Sequence, residues 1–585
     1  MGLLGGVWKK VSARLTERNL GILLLVSFIG ISAWIWSVPY DAMRMDLADA
    51  TTNQIWSDLI REGKYAIPIE EWRERGYPPT QSSVVELDGR VYVVNEKGPG
   101  HAMMVAAMDT MGLGGFSGTL FAGLAILATY MLARRLFNWK VGFLAAIFVM
   151  TNLTVIVMWH RYLWTDASTM HFLVLGAWLM TESLHLFRRG DEEVRKELTL
   201  GGIALGILGG LAFGLSISTR YPVALVLGPL LLFVLAFHAY RAKGASNNPR
   251  KLLSWMAHSA KTAVPLLLGL LVVMVPLMQY NTAYFGEPLR SGYDAVSLVD
   301  YSRTGNLTGR NQSVQWSAGW ADGAANVFSN SMILTPILLA RMPLLLLVPF
   351  SVVMLRRRPQ FWLLVPWAVV VFVTYLSISW VKMYANAQSI VWEPRYFMPA
   401  LPALAILAAF ALDSISLKDR SDGRKVLFAA TLAAGIVMAG IIPAEAHFKE
   451  IREGNYITPG GPRGPGQPGN NGQGQPGQPD IQFQQVALPD LLANPVSYAG
   501  KFVLLENLTV LDAAFPTINL TDGNLQVSVH LDNFTSFPDA ARIGQKVNAR
   551  GPWSGIDQNG NGKADPGDFF LNVKNGTADL IEVAG

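Results

Sequence analysis

The sequence contains no cysteine. That excludes a disulfide framework, thiol catalysis, iron–sulfur clusters and cysteine-ligated zinc. Charge is scarce as well. Lys, Arg, Asp and Glu make up 15% of the 585 residues, against about 25% in soluble domains. Hydrophobic residues reach 51% and the mean hydropathy is +0.30. Together these exclude an ordinary soluble enzyme and a disordered chain. The formal net charge of +5 gains meaning only once the basic residues are mapped.

Eleven apolar runs approach the roughly 20 residues that a helix needs to cross the hydrocarbon core. They lie near 20–38, 117–136, 141–158, 167–187, 200–218, 221–240, 262–280, 333–355, 361–380, 396–412 and 426–442. Thr219, Arg220 and Tyr221 alone divide 200–218 from 221–240, so a tight turn must join them. Residues 101–112 are apolar but too short to span, which predicts an interfacial or re-entrant segment. The first run has no small-residue cleavage site and reads as an anchor.

Orientation follows from the bias of Lys and Arg toward cytoplasmic loops. With the N-terminus cytoplasmic, the short inner segments carry Lys9, Lys10, Arg14, Arg18, Arg134, Arg135, Lys140, Arg188, Arg189, Arg195 and Lys196. They also carry Arg241, Lys243, Arg250, Lys251, Lys261, Arg356, Arg357, Arg358, Lys418, Arg420, Arg424 and Lys425. Two long loops, about 39–112 and 281–332, then face outward together with the C-terminal tail. The Asn-x-Ser/Thr triplets at Asn306, Asn311, Asn507, Asn519, Asn533 and Asn575 fall on that outer side, and a seventh at Asn152 falls inside a predicted span.

Three regions result: a polytopic domain over 1–445, a linker over 446–480 and a small β domain over 481–585. Within the linker, 459–479 reads PGGPRGPGQPGNNGQGQPGQP. Its Gly-x-y phase slips repeatedly, so it reads as a flexible tether and not a collagen helix. The β domain shows short runs such as KFVLLENLTVL, LQVSVHL, GQKVNARGPW, DFFLNV and ADLIEV between turns, a pattern resembling an OB-fold barrel. Acidic residues outnumber basic ones in this domain. That argues against nucleic acid and leaves glycan contact, protein contact or plain shielding open.

One loop of the β domain has cation chemistry. In DQNGNGKADPGD, Asp557, Asn559 and Asn561 occupy positions 1, 3 and 5 of a calcium loop, with Gly562 at the turn. Lys563 offers a carbonyl at position 7, and Asp565 and Asp568 stand at 9 and 12. Asp568 replaces the usual bidentate Glu. A polar hairpin loop is the alternative.

Polar residues at the outer membrane surface carry the remaining chemistry. The first outer loop holds Asp41, Asp46 and Asp49, then an amphipathic helix ending near Gly63, then Glu96, Lys97 and His101 entering an apolar helix. The next short outer loop, HRYLWTDAS, holds Arg161 and Asp166, and a late one, WEPRYFMPALPAL, holds Glu393, Arg395 and Tyr396.

In order and sidedness these residues resemble the polytopic lipid-phosphosugar glycosyltransferases of the GT-C fold, in particular the protein O-mannosyltransferase and aminoarabinose-transferase group. That group has an acidic residue some fifteen positions before a Gly, which Asp49 and Gly63 match. Lys97-Gly98-Pro99-Gly100 stands where the group has a Lys-Pro-Pro-type motif. Arg161 and Asp166 match its Arg…Asp motif, and Arg395, Tyr396 and Pro399 its Arg-Tyr-x-x-Pro motif. YFGEPLRSGY at 284 is a further point of resemblance. It spans roughly residues 20–412. The usual acidic pair is only Asp49-Ala50 here, so Asp46 is the alternative base.

The resemblance implies a polyprenyl-phosphate sugar donor lying in the membrane lipid. It implies Asp49 or Asp46 as the base that takes the acceptor hydroxyl's proton. Lys97, Arg161 and Arg395 would meet the departing phosphate, and Asp166, Tyr396, Glu393 and His101 would support them. Inversion at the anomeric carbon is implied in the same way. A transporter or lipid translocator, and a non-catalytic envelope protein that binds glycan, remain the alternative classes; the sugar and the acceptor are not legible.

Overall fold

The computed structural model describes residues 16–38, 48–77, 82–160, 165–186, 200–241, 249–298, 301–302, 307, 320–377, 393–417, 423–452, 484–493, 502–514, 517–522, 526–532, 546–555, 569–574 and 580–583. The chain divides into two units. One comprises 1–44, 48–299 and 306–456; the other comprises 457–585 with 45–47 and 300–305.

The first unit is helical. Among the described residues, eight helices are long and apolar enough to cross a membrane, or nine if one bent pair counts as a span. That is fewer than the eleven runs in the sequence, for local reasons. The run 141–158 is two helices, Trp139–Met150 and Leu153–His160, bent by 65° at the break. Asn152 sits in that break and its Oδ1 accepts from the Thr154 N–H, starting the second helix. The run 333–355 straddles the end of helix Trp320–Arg341, where Pro343 opens a 3-10 turn before Val348–Leu355. Helix Thr165–Leu186 carries Asp166, Thr169, His171 and Glu182, which dilute its apolar content. Residues 221–226 form a 3-10 turn that leaves only a shorter apolar helix beyond it.

Burial separates peripheral from central helices. Of the most apolar window of Glu17–Trp36, 6% is buried, with Ile22, Leu25, Val26 and Ile29 exposed; for Arg395–Ile415 the figure is 83%. Exposed aliphatic side chains on a 20-residue apolar helix suit lipid, not water. Close packing elsewhere uses small residues. A Cβ on Gly210 of helix Leu200–Thr219 would overlap the Leu266 carbonyl oxygen of helix Pro249–Phe285, and one on Gly176 would lie 3.0 Å from the Gly209 carbonyl oxygen. Glycine at these positions lets three helices approach backbone to backbone.

The same unit carries a small antiparallel sheet of β1 (Ala66–Pro68), β2 (Ser82–Leu87), β3 (Arg90–Asn95) and β4 (Val296–Ser297), ordered β1-β3-β2-β4. Helix Ala48–Arg61 packs on helix Gly100–Thr110 and is tied to the sheet through Trp56, whose Nε1 donates to Ser82 Oγ at 3.0 Å; its Leu59 is fully buried. The helix stops at Gly63 (φ +79), where Lys64 N–H bonds to Leu59 O and Gly63 N–H to Ile60 O. That paired pattern requires a left-handed residue, which glycine adopts without cost from a side chain. The amphipathic helix expected before Gly63 is therefore present. Residues 101–112, expected to be an interfacial or re-entrant segment, fall largely in the 11-residue helix Gly100–Thr110.

The second unit contains β5 (Gln484–Gln485), β6 (Phe502–Ala514), β7 (Thr517–Thr521), β8 (Gln526–Asp532), β9 (Lys546–Gly555), β10 (Phe569–Lys574) and β11 (Leu580–Val583). Their order is β11-β9-β10-β8-β7-β6-β5, and an added β9–β6 pairing closes five of them into a ring. Within the ring β10 and β8 are parallel; the other pairs are antiparallel. Leu505, Leu508, Val510 and Leu520 are buried. The linker segment 459–479 and the loop 557–568, with Asp557, Asn559, Asn561, Lys563, Asp565 and Asp568, lie outside the described residues.

Candidate active site

Four chain segments that are far apart in sequence meet at one end of the helical unit. The first is the turn after β3. Asn95 Oδ1 accepts from the Lys97 N–H at 3.0 Å, and Gly98 takes φ +85. A Cβ on Gly98 would stand 2.7 Å from Tyr221 Oη, and one on Gly100 would overlap Ser218 Oγ. Glycine at 98 and 100 thus lets the Lys97 turn lie directly against the Ser218–Tyr221 turn. Behind it, a Cβ on Gly292 would meet the Glu96 Cα at 2.5 Å. Held on both sides, Glu96 and Lys97 are buried, at 4% and 5% exposure.

The second segment is the start of helix Thr165–Leu186. Asp166 lies in its first turn, fully buried. A carboxylate there is favoured by the helix dipole. His101 Nδ1 lies 2.8 Å from Ser168 Oγ, which itself donates to Thr165 O. This ties the helix Gly100–Thr110 to the start of Thr165–Leu186.

The third is the break after helix Leu200–Thr219, where Arg220 is extended and buried. Its Nε donates to Thr165 Oγ1 at 3.1 Å and its Nη1 to Tyr375 Oη at 3.2 Å. Its Nη2 pairs with Asp166 at 2.9 Å.

The fourth is the 3-10 segment Glu393–Ala400, fixed by Trp367 Nε1 donating to Pro399 O at 2.9 Å. Arg395 Nε stands 4.0 Å from the same Asp166, and its Nη2 donates to Tyr396 Oη at 2.6 Å. The Tyr396 ring faces both guanidinium groups, at 5.1 Å from Arg220 and 4.7 Å from Arg395. Cation–π attraction strengthens when the pair is desolvated, as here.

Of the residues expected from sequence, Lys97, His101, Asp166, Arg395 and Tyr396 thus come together. Asp49 belongs to the first turn of helix Ala48–Arg61, and Glu393 opens the 3-10 segment; their side chains lie outside the described residues, as do Asp46 and Arg161 entirely. Sequence reasoning misses Arg220, because it reads as a turn residue between two spans. The available signal is an arginine between two apolar runs on the predicted outer side, where a charge needs a partner. Among the described residues no group of three His, Asp or Glu could hold a metal.

At the other end of the same helices, Asn138 Nδ2 donates to Asp413 Oδ2 and Gln360 Nε2 to Leu136 O. Arg135 pairs with Glu182, and Arg358 stacks over Phe410. The basic turns Arg134–Lys140 and Arg356–Arg358 therefore sit opposite the buried cluster.

Residues 82–285 match the family model described as dolichyl-phosphate-mannose-protein mannosyltransferase. That segment is thus similar to lipid-phosphosugar glycosyltransferases. The resemblance drawn from motif order is borne out there, and the mannosyltransferase-like segment supplies Lys97, Asp166 and Arg220. No curated protein matches the chain in sequence. Among solved structures, it is similar to the archaeal oligosaccharyltransferase AglB from Archaeoglobus fulgidus, in complex with an inhibitory peptide and a dolichol-phosphate. That match has a TM-score of 0.46 and 12% identity over 90% of this chain and 77% of that one. ArnT from Cupriavidus metallidurans bound to undecaprenyl phosphate gives 0.39 and 17% over 73% and 72%.

Proposed function

We propose that this protein transfers a sugar from a polyprenyl-phosphate donor to an acceptor hydroxyl at the extracytoplasmic membrane face. The observation that carries the reading is the buried pairing of Asp166 with Arg220 and Arg395, with the buried Lys97 turn packed against the turn that carries Arg220, in a chain whose residues 82–285 match a mannosyltransferase model. Guanidinium and ammonium groups bind phosphate, and a lipid-linked phosphate is an anion delivered at the membrane surface.

The step balances simply. The acceptor oxygen attacks the anomeric carbon, its proton passes to Asp49, and the bond from that carbon to the phosphate oxygen breaks. The bonding pair leaves with the phosphate, whose added charge Lys97, Arg161 and Arg395 offset. Attack opposite the leaving group inverts the anomeric carbon. Asp46 is the alternative base. Glu393, Tyr396, Asp166 and His101 hold the cations and loops in place.

The basic turns opposite the cluster support a cytoplasmic N-terminus and an outer site. For the second unit, the closed five-strand order with one parallel pair supports an OB-like barrel. The alternating oxygen ligands of 557–568 support a calcium loop there.

Purified full-length protein given a mixed pool of radiolabelled polyprenyl-phosphate sugars should label membrane acceptors. Absence of label from every donor, with polyprenyl phosphate also unbound, would contradict the reading.

A further inference from the structure

Arg220 belongs to none of the sequence motifs that point to a site, yet it is buried at the centre of the cluster. Any role for it there depends on the glycosyl-transfer reading of the site. A guanidinium has five N–H donors. Those of Arg220 reach Thr165 Oγ1, Tyr375 Oη and Asp166, one from each nitrogen, which fixes its plane on three sides. Among the described residues, two of its N–H groups have no further acceptor, one on each terminal nitrogen.

Charge gives a second, independent indication. Among the residues whose side chains are described, Lys97, Arg220 and Arg395 are buried cations, and Glu96 and Asp166 are buried carboxylates. Asp166 is shared by both arginines, at 2.9 Å and 4.0 Å.

We propose that Arg220 is the rigid arm of the anion seat. Its two remaining N–H groups contact the phosphate of the lipid-linked donor, and Asp166 is a positioning residue that aims it, not the base. As the bond to the anomeric carbon breaks, the pair moves onto the phosphate oxygen. A preorganised fork meets that charge without reorganising. The turn carrying Arg220 also carries Tyr221, against which Gly98 packs, so Lys97 and Arg220 are placed by one piece of backbone.

The test measures binding of undecaprenyl phosphate to the full chain, with undecaprenol as the neutral control and inorganic phosphate as competitor. Arg220→Lys keeps the charge and removes the fork. The double variant Asp166→Asn with Arg220→Gln removes the ion pair as a neutral unit. The parent should prefer the phosphate over the alcohol. Both variants should lose about tenfold or more of that preference, with undecaprenol binding unchanged and, in the double variant, thermal unfolding close to the parent. In transfer assays the loss should fall on kcat, with the acceptor KM unchanged. Variants that bind the phosphate like the parent would overturn the assignment of Arg220 alone and make the pair structural. A parent that does not distinguish phosphate from alcohol would overturn the donor reading itself, and this assignment with it. Competition by inorganic phosphate at similar concentrations would show that the headgroup suffices; its failure with retained lipid binding would show that the tail is also required. In either case the Arg220 variants decide the assignment.

Discussion

Asp166 Oδ1 and Arg220 Nη2 lie 2.9 Å apart, with side chains 1% and 6% exposed, and Arg395 approaches the same carboxylate from another segment. Removing one partner of such a pair strands a buried charge. Asp166→Ala should cost about 3–5 kcal/mol. Replacing both residues by neutral amides should cost clearly less than the two single changes combined. Thermal unfolding of the four proteins in one detergent checks this; additive losses would show that the two groups do not interact.

Gly98 gives a backbone prediction. Its φ of +85 and the 2.7 Å that would separate a Cβ from Tyr221 Oη both oppose any side chain. Gly98→Ala should cost about 1–2 kcal/mol from the left-handed conformation alone, and should displace Lys97. The expected result is a fall in transfer by about tenfold in a protein that still folds. Wild-type activity would mean that the Lys97 turn need not be held here.

Trp367 Nε1 holds the Pro399 carbonyl, and that bond fixes the 3-10 segment carrying Arg395 and Tyr396. Trp367→Phe keeps much of the ring's bulk but leaves the buried carbonyl unsatisfied, at about 1–3 kcal/mol. Transfer should drop more than bilayer insertion or expression does. Equal losses would assign Trp367 to packing only.

The segment around the small sheet has its own acid sensitivity. Arg75 donates to Glu62 at 2.8 Å and to Glu71 at 2.7 Å, and Lys64 reaches Glu71 at 2.6 Å. Hydrogen bonds from Arg75, then from Lys64, hold the Glu62 carboxyl at about 2, below its ordinary 4.5; Glu71 is lowered too, mainly by Lys64, while Lys64 and Arg75 are raised. A depressed carboxyl pKa stabilises the fold above the ordinary value, and that contribution is lost as the pH falls through about 2. Proteolysis within 62–77 should therefore rise as pH falls below 4.5, earlier at high salt because the cluster is exposed to solvent. A pH-independent cleavage rate, or one unaffected by Glu62→Gln, would contradict this.

Much of the site is legible in the sequence because its chemistry is carried by short motifs. Lys97, Asp166 and Arg395 stand in polar segments between apolar runs, where a charge attracts notice. Arg220 stands in a break of only a few residues between two apolar runs, so its charge is visible in the sequence but its partner Asp166 is not. The sheet is illegible for a different reason: β4 is two residues long and pairs with β2 from some two hundred positions away, so no local pattern marks it. Span counting fails where periodicity cannot see a bend, at Thr151–Asn152 and at Met342–Pro343. The turn at Gly63 is readable because a helix with a polar face must end, and glycine ends it cheaply.

The most direct test of the account is release of polyprenyl phosphate from a radiolabelled polyprenyl-phosphate sugar by the purified chain with membrane acceptors, comparing the parent with Asp49→Asn, Asp46→Asn and Arg395→Ala. The account predicts release in step with acceptor labelling by the parent. It predicts near-complete loss in Asp49→Asn and Arg395→Ala, and retention in Asp46→Asn. Equal release by the parent and all three variants would contradict it, since the aspartate and the buried basic cluster would then have no part in the chemistry.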